Sequence, residues 1–309
     1  MMAGQTADAN PDRMFHWASV NWVQVEETVQ RLQARIVKAL KENAFRKVKD
    51  LQRLLARSLS ARLLAVKRVT TNKGKKTPGV DGIIWTTPEQ KTQAVHDLEK
   101  DIQTLPLRRI YIPKKNGKLR PISIPSMLNR AQQACYLLTL DPVAETHADR
   151  HSYGFRLERG THDAIGYVFH ILRCKGAAQW ILEGDIKSCF DTINHQWLKE
   201  NVHMDKSILQ EWLKSGYMEG KKLFPTKKGT PQGGIASPTL ANITLDGLER
   251  TLIQKFGCER DKQGSPWKNQ KNMVHVCRYA DDHELQYGIG ADFIPCSSKC
   301  HESIDHAAP

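Results

Sequence analysis

The chain has 309 residues, enough for one large domain or two to three modest ones, and its 40% hydrophobic content supports an ordinary globular core. No run of about 18 apolar residues marks a membrane span, and the first residues lack the basic start and apolar stretch of a secretory signal. These features argue against a transmembrane helix and a secretory signal and favour a cytoplasmic protein, and the formal charge of +13 points to a polyanionic partner.

The basic residues are grouped. Residues 105–130 carry seven Lys/Arg and no acid, and residues 67–76 carry five more, again with none. Acid-free basic stretches of this kind bind phosphate by displacing condensed counterions. The seven cysteines, at 135, 174, 189, 258, 277, 296 and 300, are scattered and odd in number. They read as reduced thiols. Cys296, Cys300 and His301 sit close together, but no second cluster completes a zinc site.

In chain order, residues 1–19 read as disordered. Val25, Val29, Leu32, Ile36 and Leu40 recur at helical spacing, and a second run from Val48 through Leu63 carries a basic outer face. Residues 20–80 are thus a basic helical module of two helices. Thr87 and Pro88 open a helix that should reach about residue 104. Residues 109–113 and 119–124 form a hairpin around "KKNGK". Ser126 caps a further helix. Residues 162–174 should be helical, burying Ile165, Val168, Phe169 and Leu172. A strand over 179–186 ends in Asp185. Helices follow near 195–202 and 206–215, then a hairpin over 217–229. Ser237 and Pro238 start a helix for which Gly257 is placed as the cap. A strand over 273–280 leads into Asp281 and Asp282.

Carboxylates therefore close two strands. If those strands are neighbours, the charges need a cation, and oxygen donors suit a hard ion such as Mg²⁺. A pair of such ions serves phosphoryl transfer. As a bare dipeptide, Asp-Asp is more often a polar turn.

Several blocks stand in order: "KKTPGVDGI", "IYIPKKNGKLRPISIPSMLNRAQQA", "HSYGFRLERGTHDAI", "GDIKSCFDTI", "GTPQGGIASPTLANI" and "YADD". Together, over roughly residues 20–282, they resemble the reverse transcriptases (maturases) encoded by group II introns. The resemblance implies an α+β right-hand polymerase without a thumb. Its parts would be a helical N-terminal extension (20–80), fingers (81–178) and a palm (179–282). It makes Asp185, Asp281 and the carbonyl of Ile186 ligands of two Mg²⁺ ions, with Asp282 as a second acid of the catalytic turn. It places Arg108, Lys114 and Arg120 on the triphosphate, Gln232 and Gly233 beside the incoming nucleotide, and Phe190 under its sugar as a gate against a 2′-hydroxyl. Asp191 reads as structural, a helix cap or ion pair. The implied partners are an RNA template, intron RNA, a DNA primer and deoxynucleoside triphosphates, with no membrane; a homodimer is allowed.

After Asp282 the pattern departs from the family. His283, Glu284 and Gln286 stand where an apolar strand should return, and residues 283–309 read as a non-native tail of an interrupted frame. The resulting expectation is weak or absent polymerisation. The alternative is a non-catalytic module that binds intron RNA and assists splicing. A palm-like nucleotide cyclase would share the metal logic but leaves the basic blocks and "TPQGG" unexplained.

Overall fold

The computed structural model describes residues 15–113, 117–173, 180–256, 274–280 and 282–287, with residues 180, 256 and 282–287 described by backbone alone. Lys114, Gly257, Asp281, Cys296, Cys300 and His301 lie outside the described residues.

The N-terminal module has three helices rather than two. Helix α1 (Trp22–Lys41) starts at Asn21, whose side chain accepts from Gln24 N, and buries Val25, Val29, Ile36 and Leu40. A turn through Asn43 leads to α2 (Phe45–Arg57). The long leucine run is then cut at Ser58. Its backbone is extended (ψ 144°), and its hydroxyl accepts from Ala61 N to cap α3 (Leu59–Thr71). A serine inside an apolar period competes with the helix in this way. Helix α4 (Pro88–Asp97) has the expected Thr87 cap, which Gln90 completes into a capping box, but it ends seven residues earlier than its pattern suggested.

Helices α1, α2 and α3 pack on α5 (Met127–His147), which is buried over most of its length, and α4 packs on α3. Val29, Ile36, Leu40, Val48, Leu51 and Leu55 meet Val143 of α5 in one apolar cluster. Pro142 lies inside α5 and cannot donate to the carbonyl four residues back. Gln33 Nε2 fills that gap, donating to Leu138 O at 2.8 Å.

Strands β1 (Leu107–Pro113) and β2 (Leu119–Ile124) form the expected hairpin. It joins a second hairpin to give the sheet order β2-β1-β4-β5, with β4 (Tyr217–Glu219) parallel to β1 and β5 (Lys222–Phe224) outermost. A second sheet has the order β3-β7-β6. It comprises β3 (Trp180–Asp185), β6 (Val274–Tyr279) and β7 (Asp282–Tyr287), all antiparallel. The polar residues after Asp282 therefore do not end the sheet. Residues 282–287 form its central strand, because backbone bonding to two flanking strands outweighs their weak β-propensity. These residues pair as a strand beyond the boundary drawn at 282.

Helix α6 (Thr161–Leu172) lies against β6, but turned away from the expected face. Ala164, Tyr167 and Val168 pack with Tyr153 and Cys277, whereas Ile165 and Phe169 are 65% and 63% exposed. The segment is apolar on two stripes, and stacking of Tyr167 on His151 (3.8 Å between ring centroids) accompanies the one that is buried.

Helices α7 (Cys189–Thr192), α8 (His195–Asn201) and α9 (Lys206–Lys214) follow β3. The single helix expected from 237 is two, α10 (Ser237–Leu245) and α11 (Leu248–Phe256), broken at Asp246 and Gly247. Among the described residues, no helix is long and apolar enough to cross a membrane.

Candidate functional site

The second sheet brings the acidic strand ends together. Asp185, the last residue of β3, is the register partner of Asp282, the first of β7. Asp282 also pairs with Tyr279, so the β6–β7 turn, which contains position 281, opens beside the end of β3. Asp185 is exposed. Among the described residues, no three His, Cys, Asp or Glu side chains form a metal-sized group.

The loop between β5 and α10 links this end to the first hairpin. Thr230 N donates to Phe190 O (2.7 Å) and Gly229 N to Ile193 O (2.8 Å). Two residues on, Ser123 N of β2 donates to Gln232 O at 2.7 Å, and Arg120 Nε donates to Gln232 Oε1 at 3.0 Å. Gly233 has φ +114°, and a Cβ there would stand 2.7 Å from Ser123 O. The glycine is thus required by contact with β2, whatever else approaches it. Arg120, Gln232, Gly233 and Phe190 form one connected line.

Arg108 does not join that line. It shares a face of the hairpin with Arg120 by strand alternation, but Arg108 pairs with Ile124 and Arg120 with Ile112. Four residues of strand separate the two positions, about 13 Å. Arg108 instead stands near enough to Arg130 to help lower the pKa of that guanidinium, after burial, the larger cause.

Phe190 is buried in the core with Leu198, Leu209 and Leu240, and meets Phe155 edge-on at 6.2 Å. Asp191 is exposed and neither caps a helix nor makes an ion pair among the described residues, contrary to its structural reading. It lines a cavity of about 190 Å³ with Arg109, Tyr217, Lys227, Lys228 and Gln232. Arg109 lies over the Tyr217 ring at 3.8 Å, a cation–π contact. Thr230 Oγ1, on the same wall, is buried without a hydrogen-bond partner among the described residues.

Beneath the β6–β7 turn lies a buried ionic network absent from the sequence reading. Arg278 of β6 donates to Ala280 O (3.1 Å), Asn242 Oδ1 (3.0 Å) and Asp246 Oδ1 (2.8 Å). Asp246 also receives Arg156 at 2.5 Å, and Arg156 reaches Glu145 at 3.0 Å. Tyr153 N donates to Arg278 O, and Asn242 Nδ2 to Gly154 O. A Cβ on Gly154 would fall 2.2 Å from Ala280 N. The "SYGFR" block thus braces the start of the acidic turn. The sequence did carry one signal: an arginine within the otherwise apolar strand "VHVCRY" needs a buried partner.

Residues 17–98 match the family described as the N-terminal domain of reverse transcriptase, and residues 112–286 match reverse transcriptase (RNA-dependent DNA polymerase). Protein YkfC of Escherichia coli (strain K12) is 34% identical over 267 residues, covering 76% of this chain and 70% of that protein. The group II intron-encoded protein LtrA of Lactococcus lactis subsp. cremoris is 35% identical over 245 residues, covering 75% of this chain but 40% of LtrA. An uncharacterized 91 kDa protein in a cob intron of Schizosaccharomyces pombe is 32% identical over 213 residues, covering 65% of this chain and 26% of that protein.

Proposed function

Because this chain belongs to the reverse transcriptase (RNA-dependent DNA polymerase) family, with group II intron-encoded proteins among its relatives, we propose that it carries the fingers and palm of an enzyme extending a DNA primer on an RNA template. The observation that carries this reading is the register of Asp185 with Asp282, which sets an acidic strand end beside an acidic turn.

Oxygen donors at an exposed strand end fit Mg²⁺, which takes a few carboxylates and completes its shell from water and phosphate. Asp185, the carbonyl of Ile186 and Asp281 would hold it, with Asp282 as a weaker neighbour. When bound, two such ions activate the primer hydroxyl and offset charge on the phosphoryl group and leaving oxygen. The protein's own part is placement. Arg120 and Lys114 grip the triphosphate, Arg through its forked donors and Lys through its compact charge. Gln232 holds Arg120 in position. The cavity beside it offers the unpartnered Thr230 hydroxyl and the Arg109–Tyr217 stack to the template strand. Phe190, fixed by its core packing, sets a hard floor under the nucleotide sugar.

The chain spans 40% of LtrA. Its polymerase activity, its dependence on Mg²⁺ and its RNA, primer and triphosphate partners are accordingly part of this proposal. Primer extension on an RNA template with Mg²⁺ tests it. Extension by the parent and none by Asp185→Asn supports the reading; equal extension by both removes Asp185 from catalysis. RNA binding with no extension by either favours the non-catalytic intron-binding alternative.

A further inference from the structure

We propose that the cavity between α3, α5, α10 and the "SYGFR" block binds a small organic cation, an amidinium or guanidinium on an apolar stem, with Asp141 as its counter-ion. The proposal stands apart from the polymerase reading. None of the residues it uses belongs to the acidic strand ends or to the line from Arg120 through Gln232 to Phe190.

The cavity measures about 210 Å³. This is smaller than the roughly 300–1,000 Å³ of a drug-sized site and larger than the roughly 150 Å³ that takes up benzene in an engineered core. One ring with a short polar head fits that space. Leu137 and Ala144 of α5, Pro238 of α10, Phe155 and Leu157 give it an apolar wall. Phe155 and Leu157 are 55% and 59% exposed. A ligand stem that covers them removes apolar surface from water, which favours binding.

Four charged side chains line the same space: Arg68, Asp141, Glu145 and Arg156. Two of them are committed elsewhere. Arg156 holds Glu145 (3.0 Å) and Asp246 (2.5 Å), and Glu145 also takes Arg159 (3.3 Å). Arg68 is exposed. Asp141 makes no ion pair among the described residues. Its carboxylate accepts there only from Thr239 Oγ1 of α10, over a long 3.4 Å. A largely buried carboxylate with one weak donor is stabilised by a ligand that brings both positive charge and N–H groups. The planar fork of an amidinium or guanidinium supplies two parallel donors to it. An anionic ligand would find Arg68 but would also meet two carboxylates, and a neutral one would leave Asp141 without a counter-charge.

The test titrates the full chain with benzamidine in a calorimeter, with benzamide and benzoate as the neutral and anionic matches. Benzamidine should bind at least about tenfold more tightly than either, the worth of one charge-assisted contact. Benzamidine stays cationic between about pH 5 and 7.5, so its affinity follows the Asp141 carboxyl. Burial pushes that carboxyl up to about 6, with Glu145 of α5 adding to the rise and Arg68 of α3 and Thr239 of α10 opposing it, while Arg156 lines the cavity beside them. Only about a tenth of it is ionised near pH 5, so affinity should fall about tenfold from pH 7.5 to pH 5. Asp141→Asn keeps the shape of the side chain and should lose both the affinity and its pH dependence, with cooperative urea unfolding showing that the variant is folded. Leu157→Ala should weaken binding about fivefold and keep the pH dependence, since it shortens only the apolar wall. No detectable binding of benzamidine by the parent, equal affinity for benzamidine and benzamide, preference for benzoate, or parental affinity in Asp141→Asn would overturn the proposal. Asp185→Asn should bind benzamidine as the parent does, so failure of the polymerase reading leaves this result standing.

Discussion

Replacing Asp246 by alanine tests whether the network under the acidic turn holds the fold. The carboxylate accepts from Arg156 at 2.5 Å and Arg278 at 2.8 Å, and both arginine side chains are nearly solvent-free, at 1% and 2% exposure. Arg156 would keep Glu145 at 3.0 Å and Ser152 at 2.9 Å. Among the described residues, Arg278 would keep hydrogen bonds only to the neutral oxygens of Asn242 and Ala280, with Asp149 acting on it from farther off and no carboxylate in direct contact. Breaking such a pair costs about 3–5 kcal/mol, a large share of the roughly 5–15 kcal/mol that holds a typical domain. The cause is distinguishable, because Arg278→Met in the Asp246→Ala background removes the stranded charge and should recover at least about 2 kcal/mol relative to additive losses. Urea unfolding followed by far-UV circular dichroism gives the four corners of the cycle. Asp246→Ala within about 0.5 kcal/mol of the parent, or strict additivity in the double variant, would refute the reasoning.

Gly154→Ala drives a methyl group into the backbone at Ala280, so it should destabilise by about 2–3 kcal/mol; an unchanged thermal midpoint would show that the contact gives way freely. Asp141 predicts a pH effect. Burial pushes its carboxyl up to about 6, against the pull of Arg68 and the Thr239 hydroxyl. The unfolded chain releases this proton near pH 4, so the stabilisation from holding it is full below about pH 4 and lost as pH rises through 6. Asp141→Asn, which cannot titrate, should therefore gain about 3 kcal/mol on the parent between pH 4 and 7 in unfolding titrations; a difference that stays flat across that range contradicts this.

Local chemistry was readable where it decides local structure. The Thr87 cap with Pro88 behind it, the Ser126 cap and the "KKNGK" hairpin were all visible as residue types at fixed spacing. Pairings between distant segments were not. Nothing local shows that Gly233 must fit against Ser123, or that Asp246 faces two arginines from other blocks. Helix α6 was legible but its buried face was not, because both of its stripes are apolar and only the position of Cys277 and His151 selects one. Strand β7 failed for the opposite reason: "DHELQY" is a poor strand by composition, and its place between β3 and β6 comes from partners at positions 180–185 and 274–279. Of the site, the convergence of Asp185 with the acidic turn was legible because each aspartate closes an apolar run. The line from Arg120 through Gln232 to Phe190 needed coordinates, as did the separation of Arg108 from it.

Site-directed cleavage by Fe²⁺ in place of Mg²⁺, with ascorbate and peroxide, probes the proposed shared ion directly, since hydroxyl radicals cut the backbone next to a bound metal. The account predicts two cut regions, one at Asp185 and one at 280–282, both suppressed by excess Mg²⁺ and both lost in Asp185→Asn. Cuts at only one of these segments, or cuts at both that persist in Asp185→Asn, would mean that no ion bridges them.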